Sequence, residues 1–166
     1  MNRVLDAATS VDADVIVEIT GDCPLIDPDI VEQSIRMYKA HSVDYVSNVM
    51  IRSYPDGMDS QVMSVDALRR SASLTNEKLD LEHVSLHIRN NPKIFSRVHL
   101  VAPPNLHWPE LGLTLDEPED FELISAIIKH IEKSDMVFSC SNMINFLKKN
   151  MYLLELNKSV IRKGNT

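Results

Sequence analysis

Two aspartates stand where an open α/β sheet would use them. Asp22 follows the apolar run 14–19 (DVIVEI), and Asp116 directly follows 111–115 (LGLTL). Ligands in such sheets collect beyond the carboxyl ends of strands, so two such strands lying close together would let these carboxylates share one divalent ion. Oxygen ligands alone, without His or Cys among them, suit Mg2+, which binds through one or two carboxylates plus substrate phosphates. Spacing alone does not separate this role from turn formation or helix capping, the commoner uses of Asp after a strand. Asp27, immediately before Pro28, reads as such a cap. A second polar group, Arg52, Asp56, Asp59 and Gln61, surrounds the turn signal Pro55-Asp56-Gly57. His83 and His87 lie four apart beside Glu82 but lack the HExxH order of a zinc site, so they read as helix surface or substrate-facing. Cys23 has no neighbouring base and reads as a small buried residue, and Trp108 as a packing anchor.

The elements that must carry these groups follow from the apolar pattern. Residues 2–10 read as the closing turns of a helix. The β-branched run 14–19 has almost no polar break, which predicts a buried parallel strand. Pro28 opens a helix to about His41, with Ile30, Val31, Ile35 and Tyr38 at helical spacing. Residues 44–47 form a second strand, and the resulting βαβ order predicts an α/β sheet with right-handed crossovers. A strand at 61–64 leads into a helix capped by Asp66 and ending near Ser73. A helix over 77–90, a strand over 95–101 and a strand over 111–115 follow. Pro118 starts the longest helix, to about Lys133, with Phe121, Ile124, Ile127, Ile128 and Ile131 as its apolar stripe. A last helix over 141–150 precedes a polar tail ending in residues 162–166. With no repeat, linker or low-complexity block, residues 1–166 read as one α/β domain with a mainly parallel central sheet and flanking helices.

Bulk properties exclude several classes. The net charge of −7 and the lack of any basic run longer than a pair such as Lys148-Lys149 argue against nucleic-acid binding. No apolar run approaches a membrane span, and no signal peptide opens the chain. Cys23 and Cys140 lie far apart without metal-ligand spacing, so a reducing, cytoplasmic setting is expected.

Four segments then resemble one family in order and at matching spacing. They are 16–28 (IVEITGDCPLIDP), 52–64 (RSYPDGMDSQVMS), Glu82-His83-Val84 with 88–92 (IRNNP), and 113–123 (LTLDEPEDFEL). Together they resemble cytidylyltransferases of the spore-coat polysaccharide and acylneuraminate type, across nearly the whole chain. The resemblance implies a Rossmann-like, nucleotide-diphospho-sugar transferase fold. It also implies activation of an acidic or amino sugar by CTP, giving a CMP-sugar and pyrophosphate for surface polysaccharide biosynthesis. It assigns Asp22 and Asp116 as Mg2+ ligands and catalytic residues, and places Arg52, Asp56, Asp59, Gln61, His83 and Arg89 at the sugar. It further implies a homodimer.

The sequence departs from the family at Ser60 and Gln61, where Val and Glu are usual. Gln61 keeps hydrogen bonding and loses the charge. The family's Gly/Arg-rich loop has no counterpart among the four glycines, Gly21, Gly57, Gly112 and Gly164. A chain opening on a helix with no prior strand also reads as N-terminally truncated. The expectation is therefore the C-terminal portion of a cytidylyltransferase, inactive by itself. Two other readings stay open: a non-catalytic assembly module, and a related nucleotidyltransferase or glycosyltransferase-like enzyme using another nucleotide.

Overall fold

The computed structural model describes residues 1–134 and 136–161, so the polar tail 162–166 lies outside the described residues. The chain folds as two compact units interleaved in sequence. The first comprises Met1–Glu18, Glu32–Ile51 and Ser60–Leu100, and the second Ile19–Val31, Arg52–Asp59 and Val101–Thr166.

The first unit holds a four-stranded sheet of β1 (Val15–Glu18), β2 (Tyr45–Ser47), β3 (Gln61–Ser64) and β4 (Arg97–His99), in the order β1-β3-β2-β4. β3 pairs antiparallel with both β1 and β2, while β2 and β4 pair in parallel. Three strands thus run the same way and β3 lies reversed among them, a mixed sheet in place of the mainly parallel one expected. The buried parallel strand expected at 14–19 is an edge strand with Val15 and Val17 exposed. Its β-branched residues favour extended backbone but do not choose a partner.

Register explains how the sheet divides its faces. Val17, Val62, Val46 and Val98 form one row across all four strands. Val46 and Val62 are fully buried there with Leu100, against Ile35, Met37 and Tyr38 of α2 (Pro28–Ala40). Side chains alternate along each strand, so the adjacent row, Ile16, Met63, Tyr45 and Arg97, faces the other side. There Ile16, Met63 and Tyr45 pack with Ala8 of α1 (Asn2–Ser10) and with Ala67 and Leu68 of α3 (Val65–Leu74). α3 is capped by Ser64, whose hydroxyl accepts from Ala67 N at 2.9 Å, and Asp66 lies in its first turn. The helix expected over 77–90 is two short helices, α4 (Lys78–Glu82) and α5 (Leu86–Asn90), broken at 83–85.

The second unit packs α6 (Pro118–Ser134) and α7 (Cys140–Lys149), followed by a 3-10 turn, Met151–Glu155. Leu123, Ile124, Ile127 and Ile131 are the buried stripe of α6, whereas Phe121 is 61% exposed. Leu25, Ile30, Met58, Leu113, Met143, Ile144 and Leu147 complete this core. Lys148 and Lys149 end α7, where cations complement the helix dipole. Residues 111–115 form no strand, and their sheet-like pairing among the described residues is a bridge between Asp56 and Gly112.

Asp27 holds the entry to this core. Its buried carboxylate accepts from Asp29 N at 2.9 Å and from Cys140 N, at the start of α7, at 2.7 Å. It caps α2 as expected and secures a second helix from 113 residues away. Asp27→Ala is expected to lower unfolding stability by about 1–3 kcal/mol, read by urea denaturation, because two helix N-termini lose a buried acceptor.

Candidate functional site

In the second unit, residues 111–116 run as a short extended thread held on both sides. Asp56 N donates to Leu111 O at 2.9 Å, and Leu113 N donates to Asp56 O at 2.8 Å. Further along, Leu115 N donates to Asp22 O at 2.8 Å. Each neighbour offers only one or two backbone groups, so no ladder forms. The thread nevertheless brings Asp22 beside the residue preceding Asp116, the two aspartates singled out in the sequence.

Each aspartate is held locally. Asp22 sits in a turn closed by Cys23 N to Thr20 O at 3.2 Å. The Asp116 carboxylate accepts from the Thr114 hydroxyl at 2.8 Å. The backbone of Asp116 is fixed by Asp120, whose Oδ2 accepts from Asp116 N at 3.2 Å and from Glu117 N at 3.1 Å. Asp120 is the third residue of α6 and reaches back over the helix start, as the acidic partner of a capping box does. It is fully buried, and its other oxygen accepts from Asn157 Nδ2 at 2.8 Å.

The loop 52–59 closes round a positive-φ glycine. Gly57 has φ of 100°, and a Cβ there would meet the carbonyl carbon and oxygen of Leu113, each at 2.8 Å. Only glycine lets the loop lie this close to the thread. Within the loop, Arg52 Nη1 donates to Asp56 at 3.0 Å and to Asp59 at 3.3 Å. The guanidinium expected to face a substrate carboxylate is therefore engaged by two carboxylates of its own loop, while remaining 40% exposed.

Cys23 reports on the field here. Burial above all pushes its thiol up to about 11, and the charges of Asp22, Asp59 and Asp56 add to the rise. The thiol, 3.8 Å from Asp22 Oδ1, is neutral and inert at physiological pH. Among the described residues no group of three or more His, Cys, Asp or Glu side chains could hold a metal by itself.

The first unit carries the other predicted residues. Gln61 Oε1 accepts from the Tyr45 hydroxyl, and from Ser85 Oγ at 2.6 Å. Gln61 belongs to a third row across the sheet, Glu18, Gln61, Ser47 and His99, at the carboxyl ends of the three like-directed strands. Glu18 Oε2, Arg89 Nε and His99 Nδ1 are buried in this unit without a hydrogen-bond partner. Burial raises the Glu18 carboxyl, against the attraction of Arg89, and lowers His99. His83 is exposed in the break between α4 and α5, its backbone N–H donating to Leu79 O at 2.8 Å. His87 is buried, with Nδ1 3.0 Å from Ser71 Oγ and its ring edge-on to Phe95, a packing role.

The structure therefore gathers Asp22, Arg52, Asp56, Asp59 and Asp116 in one unit, and Gln61, His83 and Arg89 in the other. Sequence reasoning missed Glu18, Ser47 and His99, which become a group only through strand register. It also missed Asp120, although its position three residues into a helix was readable, and Asn157, which has no local signal.

Comparison with known proteins adds a relationship. A family model described as cytidylyltransferase matches residues 1–155. An uncharacterized protein of Methanocaldococcus jannaschii is 31% identical over 166 residues, covering 99% of this chain and 65% of that protein. The spore coat polysaccharide biosynthesis protein SpsF of Bacillus subtilis is 30% identical over 154 residues, covering 90% of this chain and 61% of that one. The solved structure of a cytidylyltransferase from Leptospira borgpetersenii serovar Hardjo-bovis matches with a TM-score of 0.85 at 25% identity. That match covers 98% of this chain and 66% of the other. The chain spans less than two thirds of the length of each of these three relatives.

Two substitutions probe the two halves of this arrangement. Gly57→Ala is expected to cost about 2–4 kcal/mol in denaturant unfolding, from positive φ and from overlap with Leu113 together. Glu18→Gln tests the buried row. A carboxyl raised in the folded state stabilises fully below its unfolded value of 4.5, and that contribution is lost as pH rises through the folded value. Glu18→Gln is therefore expected to match the wild type in acid and exceed its stability at pH 7. A less stable variant at pH 7 would show that attraction to Arg89 outweighs burial.

Proposed function

Because the chain belongs to the cytidylyltransferase family, we propose that it forms the metal-carboxylate side of an enzyme using CTP to activate an acidic or amino sugar. The products are a CMP-sugar and pyrophosphate, and the setting is cytoplasmic supply of surface polysaccharide synthesis. The observation that supports this reading is the bond from Leu115 N to Asp22 O, which ties the Asp22 turn to the residue before Asp116.

The donor set suits Mg2+. Asp22 is half-buried and Asp116 exposed, both are hard oxygen donors, and no third ligand of the His, Cys, Asp or Glu types completes a cage among the described residues. A cation held by two carboxylates keeps positions for phosphate oxygens, as Mg2+ commonly does. Bound there, it would neutralise the triphosphate and orient the attacking sugar oxygen for in-line displacement at the α-phosphate.

The chain's own residues then divide the remaining work. Thr114 and Asp120 hold Asp116 before substrate arrives, so little reorganisation accompanies the reaction. Arg52 ties Asp56 and Asp59 into one rigid edge, whose carboxylates accept from sugar hydroxyls. Gln61, His83 and Arg89 are the further sugar-facing candidates, and a second copy of the chain is the expected partner. No glycine-rich loop lies within the chain, so this reading assigns it the carboxylates and not the triphosphate cradle. No helix among the described residues is long and apolar enough to cross a membrane.

The test is pyrophosphate release from CTP by the full-length protein with Mg2+ and a panel of acidic and amino sugars. Asp22→Ala and Asp116→Ala are each expected to cut release roughly a thousandfold, the equivalent of several kcal/mol of charge stabilisation. A well-folded protein that releases none with any sugar would instead favour a non-catalytic assembly module or another nucleotide.

A further inference from the structure

We infer that Asn157 is a positioning residue for the Asp116 carboxylate, acting through Asp120 from a segment 37 residues further along the chain. This rests on the metal-binding reading of Asp116 given above. One amide nitrogen, Asn157 Nδ2, donates to Asp120 Oδ1 at 2.8 Å and to Gly112 O at 3.1 Å. Its two hydrogens thus staple both ends of the stretch from Gly112 to Asp120, with Asp116 near the middle. Between those ends, Asp120 fixes the Asp116 backbone, and the Thr114 hydroxyl fixes its carboxylate.

The residue type fits this role. A neutral amide supplies two donors and no charge, whereas a carboxylate at 157 would repel Asp120. Packing does not account for its placement. Asn157 is only half-buried and lines an open cavity of about 450 Å3 with Trp108, Leu111, Gly112 and Leu154, so one side of it meets no side chain. Hydrogen bonds, not neighbours, set its position. The residues that orient a metal ligand from behind commonly change metal affinity about 10–100-fold when lost.

The experiment is Mn2+ titration of the full chain by electron paramagnetic resonance, on wild type, Asn157→Leu, Asn157→Ser and Asp116→Asn, with thermal unfolding alongside. Leucine keeps the volume and removes both donors, and serine keeps a donor and loses volume. Positioning predicts about tenfold weaker Mn2+ binding for Asn157→Leu and a smaller loss for Asn157→Ser. Packing predicts the reverse order in stability, with Mn2+ affinity unchanged. Asn157→Leu binding within twofold of wild type, while Asp116→Asn loses binding, would overturn the inference and leave the metal site standing. Binding undiminished in Asp116→Asn, or absent from wild type, would overturn the metal reading itself. If Asn157→Leu does not fold, Asn157→Ser decides by amide hydrogen exchange at Asp116 and Glu117. Faster exchange supports positioning, and unchanged exchange with unchanged affinity overturns it.

Discussion

A carboxylate removed from water costs several kcal/mol unless it finds donors, and the Asp120 carboxylate is removed completely. It finds them in the N–H groups of Asp116 and Glu117 and in the amide of Asn157. Much of the second unit's arrangement depends on that satisfaction. It sets where α6 begins, fixes the backbone that carries Asp116, and ties the segment after α7 to the stretch before α6. One buried charge thus joins a helix start, a proposed metal ligand and a distant strap.

The thread 111–116 shows how a site is built without a strand. Its carbonyls and amides are shared between the Asp56 loop at one end and the Asp22 turn at the other. Gly57 permits the first approach because any Cβ there would overlap Leu113. The Arg52 ion pairs then stiffen the loop side, although exposed pairs of this kind add little stability themselves. Their effect is on geometry, since two carboxylates that would repel one another are held by one guanidinium.

The first unit solves a different problem. Its sheet places a valine row on one face and, on the other, a row that changes from Ile16, Met63 and Tyr45 to Glu18, Gln61 and Ser47 at the strand ends. Tyr45 and Ser85 both donate to Gln61, so the position that departs from the family's usual glutamate is still fully used as an acceptor. An amide oxygen serves both donors without a buried charge.

Features under local physical control were legible in the residues alone. Pro28 and Asp27 marked the start of α2, the run at 14–19 marked β1, and 61–64 marked β3 to the residue. Four motifs carried the family, and Asp22 and Asp116 stood out because each follows an apolar run. Tertiary structure decided whatever depends on partners. Strand direction, the edge position of β1 and the lack of a ladder at 111–115 follow from which backbone lies alongside, and side-chain pattern does not encode that. The helix expected over 77–90 breaks at 83–85, where Ser85 turns inward to Gln61. Phe121 faces solvent while Leu123 and Asp120 face inward, because the stripe Leu123, Ile124, Ile127 and Ile131 packs into the core of the second unit. Asn157 was invisible for the same reason: its two acceptors lie 37 and 45 residues away, and only the folded chain brings them within one amide's reach.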